Sequence, residues 1–124
     1  RRLLVIKSSL LKGVGLQLPK NLHLVVKGGP MSPHSILDVW EVYREEMELL
    51  GHTASGNSFS NNNGERHGEI VITISKSVSD SAYRMVINES RVKVIAGGLT
   101  SLHYAITTLL QILDLFQGRA IYFE

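Results

Sequence analysis

The chain contains no cysteine, which removes thiol catalysis, cysteine-ligated zinc and disulfide staples together. No apolar run approaches the roughly 18 residues that a membrane span needs. The N-terminal RRLLVIKSSLL has the look of a leader, but Lys7 breaks its apolar run after four residues and no clear small-residue cleavage site follows, so it reads as a strand. Charge of one sign is also scarce. The formal net charge is +2, and no Lys/Arg cluster is denser than Arg1-Arg2, so the mild basicity does not argue for nucleic acid.

Catalytic signatures are missing as well. Five histidines, His23, His34, His52, His67 and His103, are scattered, with no HExxH spacing. His52 and His67 share a polar stretch with Glu65 and Glu69, but these read as ordinary solvated side chains, because a metal site needs ligands held by a rigid surround. Acid–base hydrolysis requires two carboxylates in one cleft with differing environments. The adjacent Glu45 and Glu46 instead read as the solvated face of a helix. Gly97-Gly98 lies between a strand and a helix but lacks the rest of a phosphate-binding loop. It reads as a tight turn or a close backbone approach. No GxSxG elbow occurs. No catalytic residue, metal ligand or cofactor site is therefore expected.

What is present is one domain's worth of amphipathic elements. The 124 residues are 44% hydrophobic, enough to bury a core and to make a single domain over 1–124 the expectation. Residues 3–6 and 22–26 are strand-length apolar runs. Ser32 as N-cap and Pro33 at the first helical position predict a helix ending at Gly51, with Ile36, Trp40, Tyr43, Met47 and Leu50 on one face. Residues 51–68 are Ser-, Asn- and Gly-rich and read as a loop. Three strands are predicted at 69–75, 82–88 and 91–96, the last two pairing antiparallel through the turn at Asn88-Glu89-Ser90. That triplet also fits the N-glycosylation pattern and makes Asn88 a candidate acceptor. A second long helix is predicted at 100–116, with Leu102, Ile106, Leu109, Leu113 and Phe116 as its stripe, and 120–123 can begin another strand. The expected class is α/β (α+β), an antiparallel or mixed sheet with two long helices packed on one face.

The run from Val94 to Leu113 carries a more specific signal. Val94-Ile95-Ala96, Gly98, Tyr104-Ala105-Ile106, Thr108-Leu109 and Gln111-Ile112-Leu113 form a hydrophobic strand ending in Ala, then a Gly, then a helix of the TL-QLl type. This pattern resembles the non-catalytic, zincin-like α/β domain ahead of the catalytic (β/α)8 barrel in family 20 glycoside hydrolases, the β-N-acetylhexosaminidases. The preceding TISKSVSDSAYRMVINES resembles that domain's paired strands, so the likeness covers 69–116 closely and 16–50 loosely. Two features depart from it: a Pro-rich opening is missing, and Ala105 stands where members often carry Gly.

The family's catalytic Asp-Glu pair lies in an HxGGDE-like motif on the barrel. Nothing here matches it, since His67-Gly68-Glu69 lacks the Asp. The resemblance therefore implies an accessory domain that ends ahead of the barrel and has no chemistry of its own. It implies the parent's barrel as partner, and a secreted or lysosomal setting. In the family the two helices lie between the sheet and the barrel, so part of each should be bare. Val42 and Leu49 lie off the first helix's stripe among Asp38, Glu45 and Glu46, and Tyr104 and Leu115 interrupt the polar face of the second. These four are the candidate barrel-docking residues.

The element order helix–strand–strand–strand–helix also resembles a double-stranded-RNA-binding domain. Such domains grip phosphates with Lys at the start of the second helix. Here no Lys or Arg appears between Gly97 and Arg119, and the first helix carries Glu41, Glu45, Glu46 and Glu48. Nucleic acid is accordingly an unfavoured partner.

Overall fold

The computed structural model describes residues 6–7, 15–27, 29, 31–58, 68–88, 90–116 and 121–122. The core is built where strands with alternating apolar residues meet two amphipathic helices. β3 (Asn21–Lys27), β5 (Glu69–Ile74), β6 (Tyr83–Ile87) and β7 (Arg91–Ala96) each turn alternate side chains to the same side. Their register aligns these into rows: Ile87, Val92, Ile70 and Leu24 in one; Met85, Val94, Ile72 and Val26 in the next; Tyr83, Ala96 and Ile74 in the third. All eleven are buried. At about 25 cal/mol per Å² of apolar surface, such rows are the main driving force for the fold.

The sheet is mixed and six-stranded, in the order β1-β6-β7-β5-β3-β4, with β1 (Ile6–Lys7) at one edge and β4 (Thr53–Ser58) at the other. Only β6 and β7 pair antiparallel, through the expected turn at 88–90; the other pairings are parallel. β2 (Gly15–Leu16) and β8 (Ile121–Tyr122) form a separate antiparallel ribbon. The predicted loop at 51–68 is thus corrected in its first part. Residues 53–58 form β4, parallel to β3, with Thr53 N–H donating to the Lys20 carbonyl at 2.8 Å. The remainder, 59–67, lies outside the described residues. Among the described residues four strands, not three, lie between the first predicted helix and the last in chain order, so the αβββα order of an RNA-binding domain does not hold.

The first predicted helix is two. α1 (Pro33–Val42) and α2 (Arg44–Leu49) are divided at Tyr43, whose N–H reaches back three residues to the Trp40 carbonyl. Ser32 caps α1, its Oγ accepting from His34 N–H at 3.1 Å. Gly51 closes α2 at φ +93°, with Gly51 N–H donating to the Glu48 carbonyl and His52 N–H to that of Met47. These are the two bonds of a Schellman cap.

α3 (Leu99–Leu115) lies beside α1 and covers β6 and β7. Its start is fixed by Gly97, where an added Cβ would stand 1.9 Å from the Ser79 carbonyl oxygen: the role is close backbone approach, not positive φ. Ser101 Oγ both accepts from Gly98 N–H and donates to the Gly98 carbonyl, closing the first turn. Leu102, Ala105, Ile106, Leu109 and Leu113 face the sheet, fully or nearly buried. Tyr83 and Thr108 share a buried hydroxyl–hydroxyl hydrogen bond of 2.7 Å, so the one polar pair inside this layer is satisfied.

Leu109 is 0% exposed in the same cluster as Ile72. Leu109→Ala should cost about 2–5 kcal/mol, as large-to-small core changes do. Chemical denaturation of the two proteins checks this, and an unchanged midpoint would mean that the helix face is misassigned.

Candidate docking surface

The helices bury one stripe and leave the other side to the outside. On α3 the outer stripe is Tyr104, Gln111 and Leu115, all exposed and set opposite the buried Leu102, Ile106 and Leu109. Val42 is 65% exposed, Leu49 86%, Tyr104 50% and Leu115 67%, against 4% for Trp40. These four are the exposed large hydrophobics among the described residues, and all lie on the helical layer.

Between α2 and α3 runs an open groove of ≈ 350 Å³ lined by Glu46, Leu49, Leu50, Thr107, Leu110, Gln111 and Asp114. Its surface is mainly apolar, with the two carboxylates at its walls. A smaller hollow of ≈ 160 Å³, lined by Tyr104, Thr107, Thr108 and Gln111, shares Thr107 and Gln111 with it. Sequence reasoning found Leu49, Tyr104 and Leu115 but missed the groove. Leu110 is half-buried on the groove wall. The signal was available: Thr107, Leu110 and Asp114 recur at helical spacing on one side of α3.

The two helical segments are tied together beneath this surface. Tyr43 Oη and His103 Nδ1 are 2.7 Å apart, and the rings meet edge-on with centroids 5.5 Å apart. With the imidazole proton on Nε2, Nδ1 accepts from the tyrosine hydroxyl. The break at Tyr43 thus directs that ring to α3. On the outside, Arg44 donates to Glu41 and, at 3.2 Å, to Glu48. The Glu41 bond first, and then that of Glu48, raises the guanidinium pKa above its ordinary value.

The remaining candidates fall elsewhere. Glu45 and Glu46 are exposed on α2. Glu69, expected to be solvated, is instead buried, at register with Arg91 across β5 and β7, with its Oε1 3.6 Å from Arg91 Nε. Glu65 and His67 lie outside the described residues, and His52 Nδ1 donates to the Pro19 carbonyl at 2.8 Å. Among the described residues no group of three or more His, Cys, Asp or Glu side chains could hold a metal. Asn88 Oδ1 accepts from Ser90 N–H at 2.7 Å and from Arg91 N–H at 2.9 Å, an Asx-turn that shapes the β6–β7 connection. Neither bond uses Nδ2, the atom to which a glycan would attach.

The structure thus sets its helices on one face of a mixed sheet, with a mainly apolar groove between α2 and α3. Residues 13–121 match the family described as glycosyl hydrolase family 20, domain 2. The chain belongs to that family. No curated protein matches it. Domain 2 of the family 20 hydrolases is their non-catalytic domain, and the catalytic domain is a separate one in the parent chain. No described helix of this domain is long and apolar enough to cross a membrane.

The Asn88 turn offers a direct check on the hairpin. Asn88→Ala removes the acceptor of two backbone N–H groups and should cost about 1 kcal/mol, whereas Asn88→Asp keeps an acceptor and should cost less. Equal stability of all three proteins in urea titration would show that the bonds contribute nothing.

Proposed function

We propose that this domain braces the catalytic barrel of a family 20 glycoside hydrolase, seating on it through the outer side of α1, α2 and α3. One observation carries the reading: the exposed large hydrophobics among the described residues, Val42, Leu49, Tyr104 and Leu115, lie on the helical layer. Exposed apolar side chains are common singly, but several on one layer, with Leu49 also lining the mainly apolar α2–α3 groove, mark an interaction surface. The family assignment supplies the partner. The domain's role is mechanical: its own core fixes the helices rigidly, and the rigid outer face then holds the barrel wall it covers. In a parent chain that passes through a secretory pathway, Asn88 in the Asn88-Glu89-Ser90 sequon is the glycan acceptor we propose.

The chain by itself should hydrolyse neither a chromogenic N-acetylglucosaminide nor an N-acetylgalactosaminide, because its sequence lacks the Asp-Glu motif that the family carries on the barrel. Turnover above a buffer blank that survives repurification would contradict this. The docking side is tested by Leu49→Asp combined with Leu115→Asp. Both residues are exposed, so the stability of the 124-residue chain should change by no more than about 0.5 kcal/mol. In the parent protein the same pair should loosen the domain from the barrel, read as faster proteolytic separation of the two. A parent protein that separates at the unmodified rate would place the barrel contact elsewhere.

A further inference from the structure

The sheet carries the positive charge of this domain. Among the described residues outside the helices there are two acids, Glu69 and Asp80, against seven Lys and Arg. Glu69 is buried with its Oε1 3.6 Å from Arg91 Nε, and Asp80 lies on the connection between β5 and β6. Four of the cations gather at one end of the sheet, where β3, β5 and β7 finish and β6 begins. Pairing sets Lys27, Thr73, Ile95 and Arg84 in one row across these four strands. Their neighbours Val26, Ile72, Val94 and Met85 are buried under the helices, so the row faces the other way. Lys27 and Arg84 close the row, about 14 Å apart at a strand spacing of about 4.8 Å. Lys93 is level with Val86 and diagonal to Arg84, about 7–8 Å from it. Lys76 follows two residues after the end of β5. Lys76, Arg84 and Lys93 are exposed and Lys27 is half-buried, and none of the four makes an ion pair with a described residue.

This arrangement selects a class of partner. A protein seated here would need an apolar centre to bury. The exposed large hydrophobics among the described residues lie on the helices instead, and Thr73, Ile95 and Val86, which separate the cations, are already half-buried. Single-stranded nucleic acid needs exposed aromatic rings on which its bases stack. The outward positions at this end, Lys27, Thr73, Arg84, Val86, Lys93 and Ile95, include no aromatic residue. A glycan with sulfate or carboxylate groups needs neither. Its charges meet separated cations in charge-assisted hydrogen bonds, and its sugar rings lie along the aliphatic and hydroxyl side chains between them.

We infer that this end of the sheet, on the side away from the helices, binds an acidic polysaccharide through Lys27, Lys76, Arg84 and Lys93. The inference rests on the docking role proposed above, which turns the helices to the barrel and leaves this face to the outside, and it adds an anionic glycan as a second partner of the parent hydrolase. Arg84 and Lys93 form the centre of the site. As close like charges they repel each other in the free domain, and a bound anion relieves that repulsion. Charge supplies the attraction, so binding weakens as salt rises.

The test titrates the 124-residue chain, and separately the parent protein, with chondroitin sulfate at about 0.05 M sodium chloride, where screening is weak. Both should bind it, and neither should bind an uncharged dextran. Arg84→Glu with Lys93→Glu should weaken binding at least roughly tenfold. Both side chains are exposed, so the melting temperature should hold. Arg84→Glu alone should weaken binding more than Lys20→Glu, which makes the same charge change at an exposed position near the other end of β3. Equal losses from these two would show a response to net charge alone and overturn the site. Tighter binding of duplex DNA or of phosphatidylserine vesicles than of chondroitin sulfate would assign the face to that partner and overturn the inference. If the chain binds and the parent protein does not, the barrel covers the sheet, and the inference falls together with the docking side. If neither binds while Leu49→Asp with Leu115→Asp still loosens the parent protein, the docking side stands and the inference alone is overturned.

Discussion

The structure depends on one constraint: every second residue of four strands must face the same two helices. The rows through Val92, Val94 and Ala96 exist because β5 and β6 flank β7 in a register that brings Ile70, Ile72 and Ile74 level with Ile87, Met85 and Tyr83. A slip of one residue in any strand would send its apolar set to the wrong side. The mixed sheet follows from this constraint. β5 and β7 run parallel because the chain crosses over β6 between them, and β6 can then pair antiparallel with β7 on its free side. The helices in turn are oriented by the rows, with α3 over β6 and β7 and α1 over β3. Their outward residues are what remains once the inward stripe is committed, so the exposed apolar side chains on the helices are a product of core formation.

Polar pairs then fix rotation where apolar packing would tolerate some drift. The Tyr83–Thr108 bond sets α3 about its own axis, because a turn of the helix would leave a buried hydroxyl unpaired. Ser101 and the Gly97 backbone approach set its start. Tyr43 and His103 tie α3 to the joint between α1 and α2. Together these hold the two walls of the groove at a fixed separation, which is what a surface that positions another domain requires.

Much of this was legible in the sequence, and for physical reasons. The long strips of α3 and the alternation in β5, β6 and β7 are strong because each element is amphipathic on its own period. The bare Val42, Leu49, Tyr104 and Leu115 stood out as apolar residues off those strips. β4 did not, since Thr-Ala-Ser-Gly-Asn-Ser has neither alternation nor β-branched bulk, and only its parallel partner β3 makes it a strand. The break at Tyr43 was hidden because Ile36, Trp40, Met47 and Leu50 keep an unbroken helical spacing across it. Glu69 looked like part of a wet loop, but its burial is imposed by Arg91 on a strand distant in sequence. The groove was missed for the same reason: its walls come from two helices, and no single period contains both.

The weak strand β4 has a consequence for how copies of the protein meet. It forms one margin of the six-stranded sheet, and the other margin is the two-residue β1. A margin presents unsatisfied backbone donors and acceptors, and a long, flat, apolar one recruits further strands. The β4 margin is built from small polar residues with a glycine, and its register shifts between Leu22 and His23 of its neighbour. The β4 margin is thus a poor template for cross-β growth. The bare leucines lie on the helices instead, where the backbone gives an incoming strand no ladder to extend.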